Sequence, residues 1–232
     1  MNATVLLPII ALVIAILLHE IAHGLVALWM GDRTAKSAGR LTLNPLKHID
    51  RFGSIILPLI LLVGQLVTIK RVVFLYGWAK PVPINPLNLR LGHYRNPRRL
   101  MAIVALAGPV VNFILALVGG ALIHLALIWP GPNLLNFLFY FIEINLILGI
   151  FNLIPLPPLD GGRIIVGVLP LKLAIWVSQM EKIGLLVILL VLFILPLACR
   201  QIGLTFDPFN AAFRVVMPWA MHLVLLLTGN HV

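Results

Sequence analysis

The chain has 232 residues, of which 61% are hydrophobic and 10% charged, and its mean hydropathy is +1.09. Soluble domains run at roughly 45–50% apolar and about 25% charged, so seven acidic residues in this length exclude a soluble globule, and the low charge excludes disorder. A single cysteine, Cys199, excludes a disulfide framework and a cysteine-based zinc knuckle; the net charge of +10 reads as basic loops facing anionic lipid, with no nucleic-acid partner.

A membrane span needs ~20 mostly apolar residues. Residues 3–30 form the first, interrupted only by His19, Glu20 and His23. It lacks a positive leading region and a small-residue cleavage site, so it is expected to be retained rather than removed as a signal. A polar stretch follows over 31–51. Segment 52–69 is apolar but broken by Gly53, Pro58 and Gly64, and 70–99 is polar again. Residues 100–129 and 134–159 read as two further spans, the second carrying Glu143 and Asn145. The stretches 183–198 and 215–228 are shorter candidates, separated by polar residues 200–214. The expectation is an all-α polytopic membrane protein with about five to six transmembrane segments, a single domain over 1–232.

Charge placement orients these segments. Loop 31–51 holds Arg33, Lys36, Arg40, Lys47 and Arg51, and loop 70–99 holds Lys70, Arg71, Lys80, Arg90, Arg95, Arg98 and Arg99, together 12 of the 17 basic residues. Positive loops stay in the cytoplasm, so 52–69 would leave and return by one face, as a broken, re-entrant segment buried in protein. A tilted full span is the ordinary alternative for a segment of this length.

Ionisable groups inside a span are costly and mark function by default. Three fall within five residues, His19-Glu20-Ile21-Ala22-His23. On a helix the two histidines project from one face and can reach one ion. Glu20 can stand beside as a general base. Composition alone would give about 0.003 such matches by chance. A catalytic zinc usually takes three protein ligands, and the remaining acids in apolar segments are Glu143 and Asp160. Asp160 ends the run Asn152-Leu153-Ile154-Pro155-Leu156-Pro157-Pro158-Leu159-Asp160, where three prolines break the helix and Gly161-Gly162 follow, a build that suits a ligand presented from non-helical chain. The plainer reading of that turn is a helix stop with an aspartate cap. If 52–69 re-enters, Asp160 returns to the face on which His19 and His23 lie; if it spans, Asp160 ends on the other.

HEIAH in one apolar segment and NLIPLPPLDGGR in a later one resemble the site-2 protease family of intramembrane zinc metalloproteases. AGPVVN at 107–112 is similar to the family's third, weaker motif. GRLTLNPLKHID followed by GWAKPVPINP resembles the compact bacterial and archaeal members, without a PDZ or CBS domain. The resemblance implies one zinc ion held by His19, His23 and Asp160, with Glu20 as catalytic base. It also implies that Asn152 and Asn112 help bind substrate backbone or the oxyanion. The implied activity is endopeptidase cleavage within or near transmembrane segments of membrane proteins, as in regulated intramembrane proteolysis. The implied setting is a prokaryotic cell membrane, with the active site nearer the cytoplasmic face.

Two other classes compete. An ion-binding transporter would not need Glu20 directly after His19, and an inactive membrane scaffold of this fold would be expected to lack Glu20 or a ligand. Among the remaining polar residues, Glu143 and Asn145 are expected to pair across helices. His48 with Asp50 reads as solvated surface. His93, His124, His222 and His231 read as interfacial, and Trp78, Trp129, Trp176 and Trp219 as belts at segment ends.

Overall fold

The computed structural model describes residues 3–68, 70, 77–128, 131–201, 203 and 208–230. Arg71, Trp129 and His231 lie outside them. The described residues hold ten α-helices and no strand: α1 Ala3–Trp29, α2 Thr34–Ser37, α3 Leu57–Thr68, α4 Pro97–Ile128, α5 Pro132–Asn152, α6 Asp160–Val168, α7 Leu171–Gln179, α8 Glu181–Leu189, α9 Leu195–Gln201 and α10 Pro208–Leu227. Four of them, α1, α4, α5 and α10, are long and apolar enough to cross a membrane. At 1.5 Å per residue the 27 residues of α1 reach ~40 Å, more than the ~30 Å hydrocarbon core. The protein is an integral, multi-pass membrane protein.

Helix α4 is the central element and packs against α1, α5 and α6. One core cluster joins α4, α5 and α10 through Ala116, Ile123, Leu138, Ile142, Leu146 and Val224. A second joins the end of α1 to the start of α4 through Ala27, Met30, Leu89, Leu100 and Val104. Outward-facing Ile9, Ile114, Leu125 and Leu226 are exposed, as lipid-facing positions are.

Short caps organise the polar segments. Asn44 and Asn85 each precede a proline and accept an N–H from the residue two positions on, opening the single 3-10 turns Pro45–His48 and Pro86–Asn88. Asp50 accepts from Phe52 and Gly53 and starts the π-helical turn Arg51–Ile56 that runs into α3. After α3 the chain returns to where it left. The Trp78 N–H donates to the Gly53 carbonyl (3.2 Å), and the Lys80 N–H to that of His48 (2.8 Å). Gly53 and Trp78, on either side of this stretch, are therefore hydrogen-bonded neighbours.

From there the chain runs extended along α1. Arg40 donates to the Lys80 and Pro81 carbonyls, and the Asn85 N–H donates to Asp32 (2.7 Å). Buried Asp32 also receives Thr34 and Asn88. Burial pushes its carboxyl upward, but the hydrogen bonds from Thr34, Asn88 and Asn85 outweigh burial and hold it below the ordinary carboxylate range.

Several expectations need correction. His48 is buried, not solvated, and bonds the Thr42 carbonyl through Nε2 (3.1 Å), because the returning segment around Lys80 covers it. The helix expected over 215–228 begins seven residues earlier, at Pro208, so Trp219 lies inside α10 rather than at its end; Trp176 likewise sits within α7. The stretch expected over 183–198 is α8 and α9 joined by the π turn Leu190–Ile194. Asn145, fully buried, does pair across helices, accepting from Asn112 of α4 (2.8 Å), whereas Glu143, ~200° away on α5, is exposed and does not share that pairing.

Candidate metal centre and its supporting shell

His19 and His23 lie one turn apart on the buried face of α1, their rings edge-to-face with centroids 4.6 Å apart. Helix α5 stops at Asn152, residues 153–159 make an irregular turn, and Asp160 opens α6 with its carboxylate facing the histidines. The expectation of a ligand from non-helical chain is thus corrected by one residue. The prolines create the turn, but Asp160 itself is the first residue of the next helix, which fixes its direction. His19 Nε2 and His23 Nε2 are 3.0 Å apart, and Asp160 Oδ2 lies 3.1 and 3.2 Å from them.

The proton on each imidazole is assigned by what lies behind it. His23 Nδ1 is 2.8 Å from the Val104 carbonyl, which only accepts, so Nδ1 carries the hydrogen. For His19 the assignment runs through two amides. Asn145 must donate to the Phe141 carbonyl (2.8 Å), so its Oδ1 accepts from Asn112 Nδ2 (2.8 Å). That turns Asn112 Oδ1 toward His19 Nδ1 at 2.6 Å, where it accepts a proton. In its neutral form each imidazole therefore presents its Nε2 lone pair to the other ring and to a carboxylate.

Three lone-pair donors crowded together in a buried site repel unless a cation lies among them. Their spacing fits one: ligands ~2.0–2.1 Å from a tetrahedral ion lie roughly 3.3 Å apart. Backbone leaves the room. A Cβ built on Gly108 of α4 would lie 2.5 Å from His23 Nε2 and 2.6 Å from His19 Nε2, so only glycine keeps the space among the donors open. Two imidazoles and one carboxylate form a catalytic zinc set. Among the described residues this is the group of three ligating side chains within reach of one ion.

Glu20 stands outside the donor set. Its carboxylate is half-buried and accepts the Val82 N–H (3.0 Å) from the irregular segment beside α1. Asn152 closes α5, with its amide donating to the Leu148 carbonyl (3.0 Å). Asn112 is placed differently from the substrate-facing role expected of it. It is fully buried behind His19 with both ends of its amide engaged, because α5 lies directly against α4 there. Gly108, the Val82 N–H and the identity of the Asn145 partner were not among the expected site features. The first had a visible signal, a glycine beside Pro109 in the stretch that also carries Asn112.

An HExxH helix closed by a carboxylate from a later helix, inside a bundle of apolar helices, defines a membrane metalloprotease. The sequence model of peptidase family M50 matches residues 7–129 and 129–195, and the chain belongs to that family, the site-2 proteases. It is 41% identical over 196 residues to "Putative zinc metalloprotease YwhC" of Bacillus subtilis, covering 82% of this chain and 80% of that one. It is 31% identical over 163 residues to "Putative zinc metalloprotease Rip2" of Mycolicibacterium smegmatis, covering 67% of this chain and 54% of that one. No solved structure matches significantly.

Proposed function

We propose that this zinc metalloprotease cleaves peptide bonds within or near transmembrane segments of other membrane proteins, as in regulated intramembrane proteolysis, with His19, His23 and Asp160 as the metal ligands. The supporting observation is the convergence of three lone-pair donors at membrane depth, with both Nδ1 protons committed elsewhere. A bound zinc ion supplies Lewis-acid polarisation of a peptide carbonyl and acidifies water.

The protein's own groups do the rest. Glu20, one residue after a ligand and free of the donor set, takes a proton from water and passes it to the leaving amine. The Val82 N–H keeps the Glu20 carboxylate aimed. One N–H of Asn152 is engaged by Leu148, and the other is available to the developing oxyanion. Asn112 positions His19 rather than touching substrate. A transmembrane substrate must unwind locally, since helical hydrogen bonds shield the scissile carbonyl.

The test is Glu20→Gln in purified protein with a model transmembrane substrate. Zinc content is expected to stay stoichiometric while cleavage falls by 10²-fold or more. Cleavage near the wild-type rate removes Glu20 from the base role. Loss of zinc in this variant contradicts its place outside the ligand set.

A further inference from the structure

Between the two 3-10 and helical boundaries at Asn88 and Pro97, the chain makes a two-residue hairpin. Leu91 and Tyr94 exchange both backbone hydrogen bonds (2.9 and 3.0 Å) around Gly92 and His93, with Gly92 at φ +58°. Arg90 and Arg95 flank this isolated bridge, and both line the same hollows beside it. Like charges facing one hollow repel, and among the described residues no carboxylate pairs with either. The neighbouring acid, Asp32, is buried and occupied by Thr34, Asn85 and Asn88.

Arg90 is nonetheless held. The Arg90 N–H donates to the Met30 carbonyl (2.8 Å), and its side chain lies across Gly31, where a Cβ would come within 3.1 Å of Nε. Gly31 has φ +93°, so glycine is needed there on both counts. Two neighbouring hollows of about 420 and 310 Å³ share Gly31, Arg90 and Arg95 in their walls. The first also includes Trp29 and His93. Trp29 is 73% exposed at the end of α1, and α4 begins two residues after Arg95, so this pair lies where two spans meet the membrane surface.

We propose that the hairpin holds the phosphodiester of an anionic phospholipid headgroup between Arg90 and Arg95. Guanidinium groups bind phosphate oxygens through paired N–H donors, and an anion between them removes their repulsion. The interfacial level, with an indole beside the hollow, selects a lipid over a soluble anion. This site is separate from the metal centre and does not depend on the protease reading.

The test uses the full chain in neutral detergent, titrated with dioctanoyl phosphatidylglycerol, dioctanoyl phosphatidylcholine and glycerol 3-phosphate. Bound lipid is counted by native mass spectrometry, and zinc content reports the fold. Wild type is expected to retain phosphatidylglycerol in preference to the other two. Arg90→Gln with Arg95→Gln should weaken it about 30-fold, from roughly 5-fold for each basic group near an anionic surface. Lys36→Gln with Lys47→Gln removes the same charge from loop 31–51 and should leave binding within 3-fold. Arg95→Gln alone, at a side chain that makes no hydrogen bond in the structure, serves if the double variant loses zinc; it should weaken binding about 5-fold. Equal loss in the lysine control means diffuse attraction and overturns the site. Equal binding of glycerol 3-phosphate or of phosphatidylcholine overturns the anionic-lipid assignment.

Discussion

Replacing Asn112 by leucine tests the inner architecture of the metal site. Leucine keeps the branched shape and heavy-atom count of asparagine, so the amide is lost with little change of shape, although its two methyl groups add some bulk at this buried position. His19 Nδ1–H then loses an acceptor at 2.6 Å, and Asn145 Oδ1 loses its donor at 2.8 Å, both at fully or nearly fully buried positions. Each stranded group costs ~1–3 kcal/mol of stability, about 2–6 kcal/mol for the pair. Partners behind a ligating histidine are worth ~10–100-fold in metal affinity, or about 1.4–2.7 kcal/mol. The assay is chelator competition on purified protein, with zinc measured by elemental analysis. Asn112→Asp is the companion. Its carboxylate still accepts from His19, but it faces Asn145 Oδ1 without a proton between them, so zinc should be retained better than in the leucine variant while thermal stability falls. Wild-type zinc affinity in Asn112→Leu together with poor cleavage would refute the reasoning and return Asn112 to the substrate.

Gly108→Ala should abolish stoichiometric zinc binding, because the added methyl occupies the space among the donors; unchanged zinc by elemental analysis would show that α4 can move aside. Asp160→Ala should lower zinc retention by orders of magnitude, since two histidines cannot complete the site; stoichiometric zinc in that protein removes Asp160 from the ligands. Asp32 is held below the ordinary carboxylate range, so its contribution to stability is full above about pH 4 and is lost as pH falls through its lower folded value. Melting temperatures should therefore drop on acidification in wild type and less steeply in Asp32→Asn; parallel curves would mean that another carboxylate dominates. Single cysteines at positions 36 and 90, in a Cys199→Ala background, should react with an impermeant reagent from the same side of the membrane. Labelling from opposite sides makes 52–69 a true span.

The parts of the site legible in the sequence were those that local spacing encodes. His19, Glu20 and His23 announce themselves because three polar residues at helical spacing stand in an apolar run. Asp160 could be argued only through parity, since 141 residues separate it from His19, and the prolines before it mark a break without saying which residue begins the next helix. The expected pairing of Asn145 across helices was legible, but its partner Asn112, and the link on to His19, were not, for a different reason. That link depends on the register between α4 and α5, and an apolar sequence at lipid-facing and core positions alike carries little trace of register. Loop 31–51 misled in the opposite sense. Its charges read as solvated surface, yet His48 is buried because a segment more than thirty residues later folds back over it.

The distance between the first ligand and the last has a bearing on how the protein is made. His19 and His23 are synthesised early and Asp160 only after α1, α4 and α5 have been translated. At roughly 5–20 residues per second, about 10–30 s pass between them. During that interval the growing chain carries the base and two imidazoles but no carboxylate to close the donor set. A ribosome that stalls before residue 160 releases a chain without a complete active centre. With the proposed ligand set, the metal site is thus complete only when the last of its walls has been made.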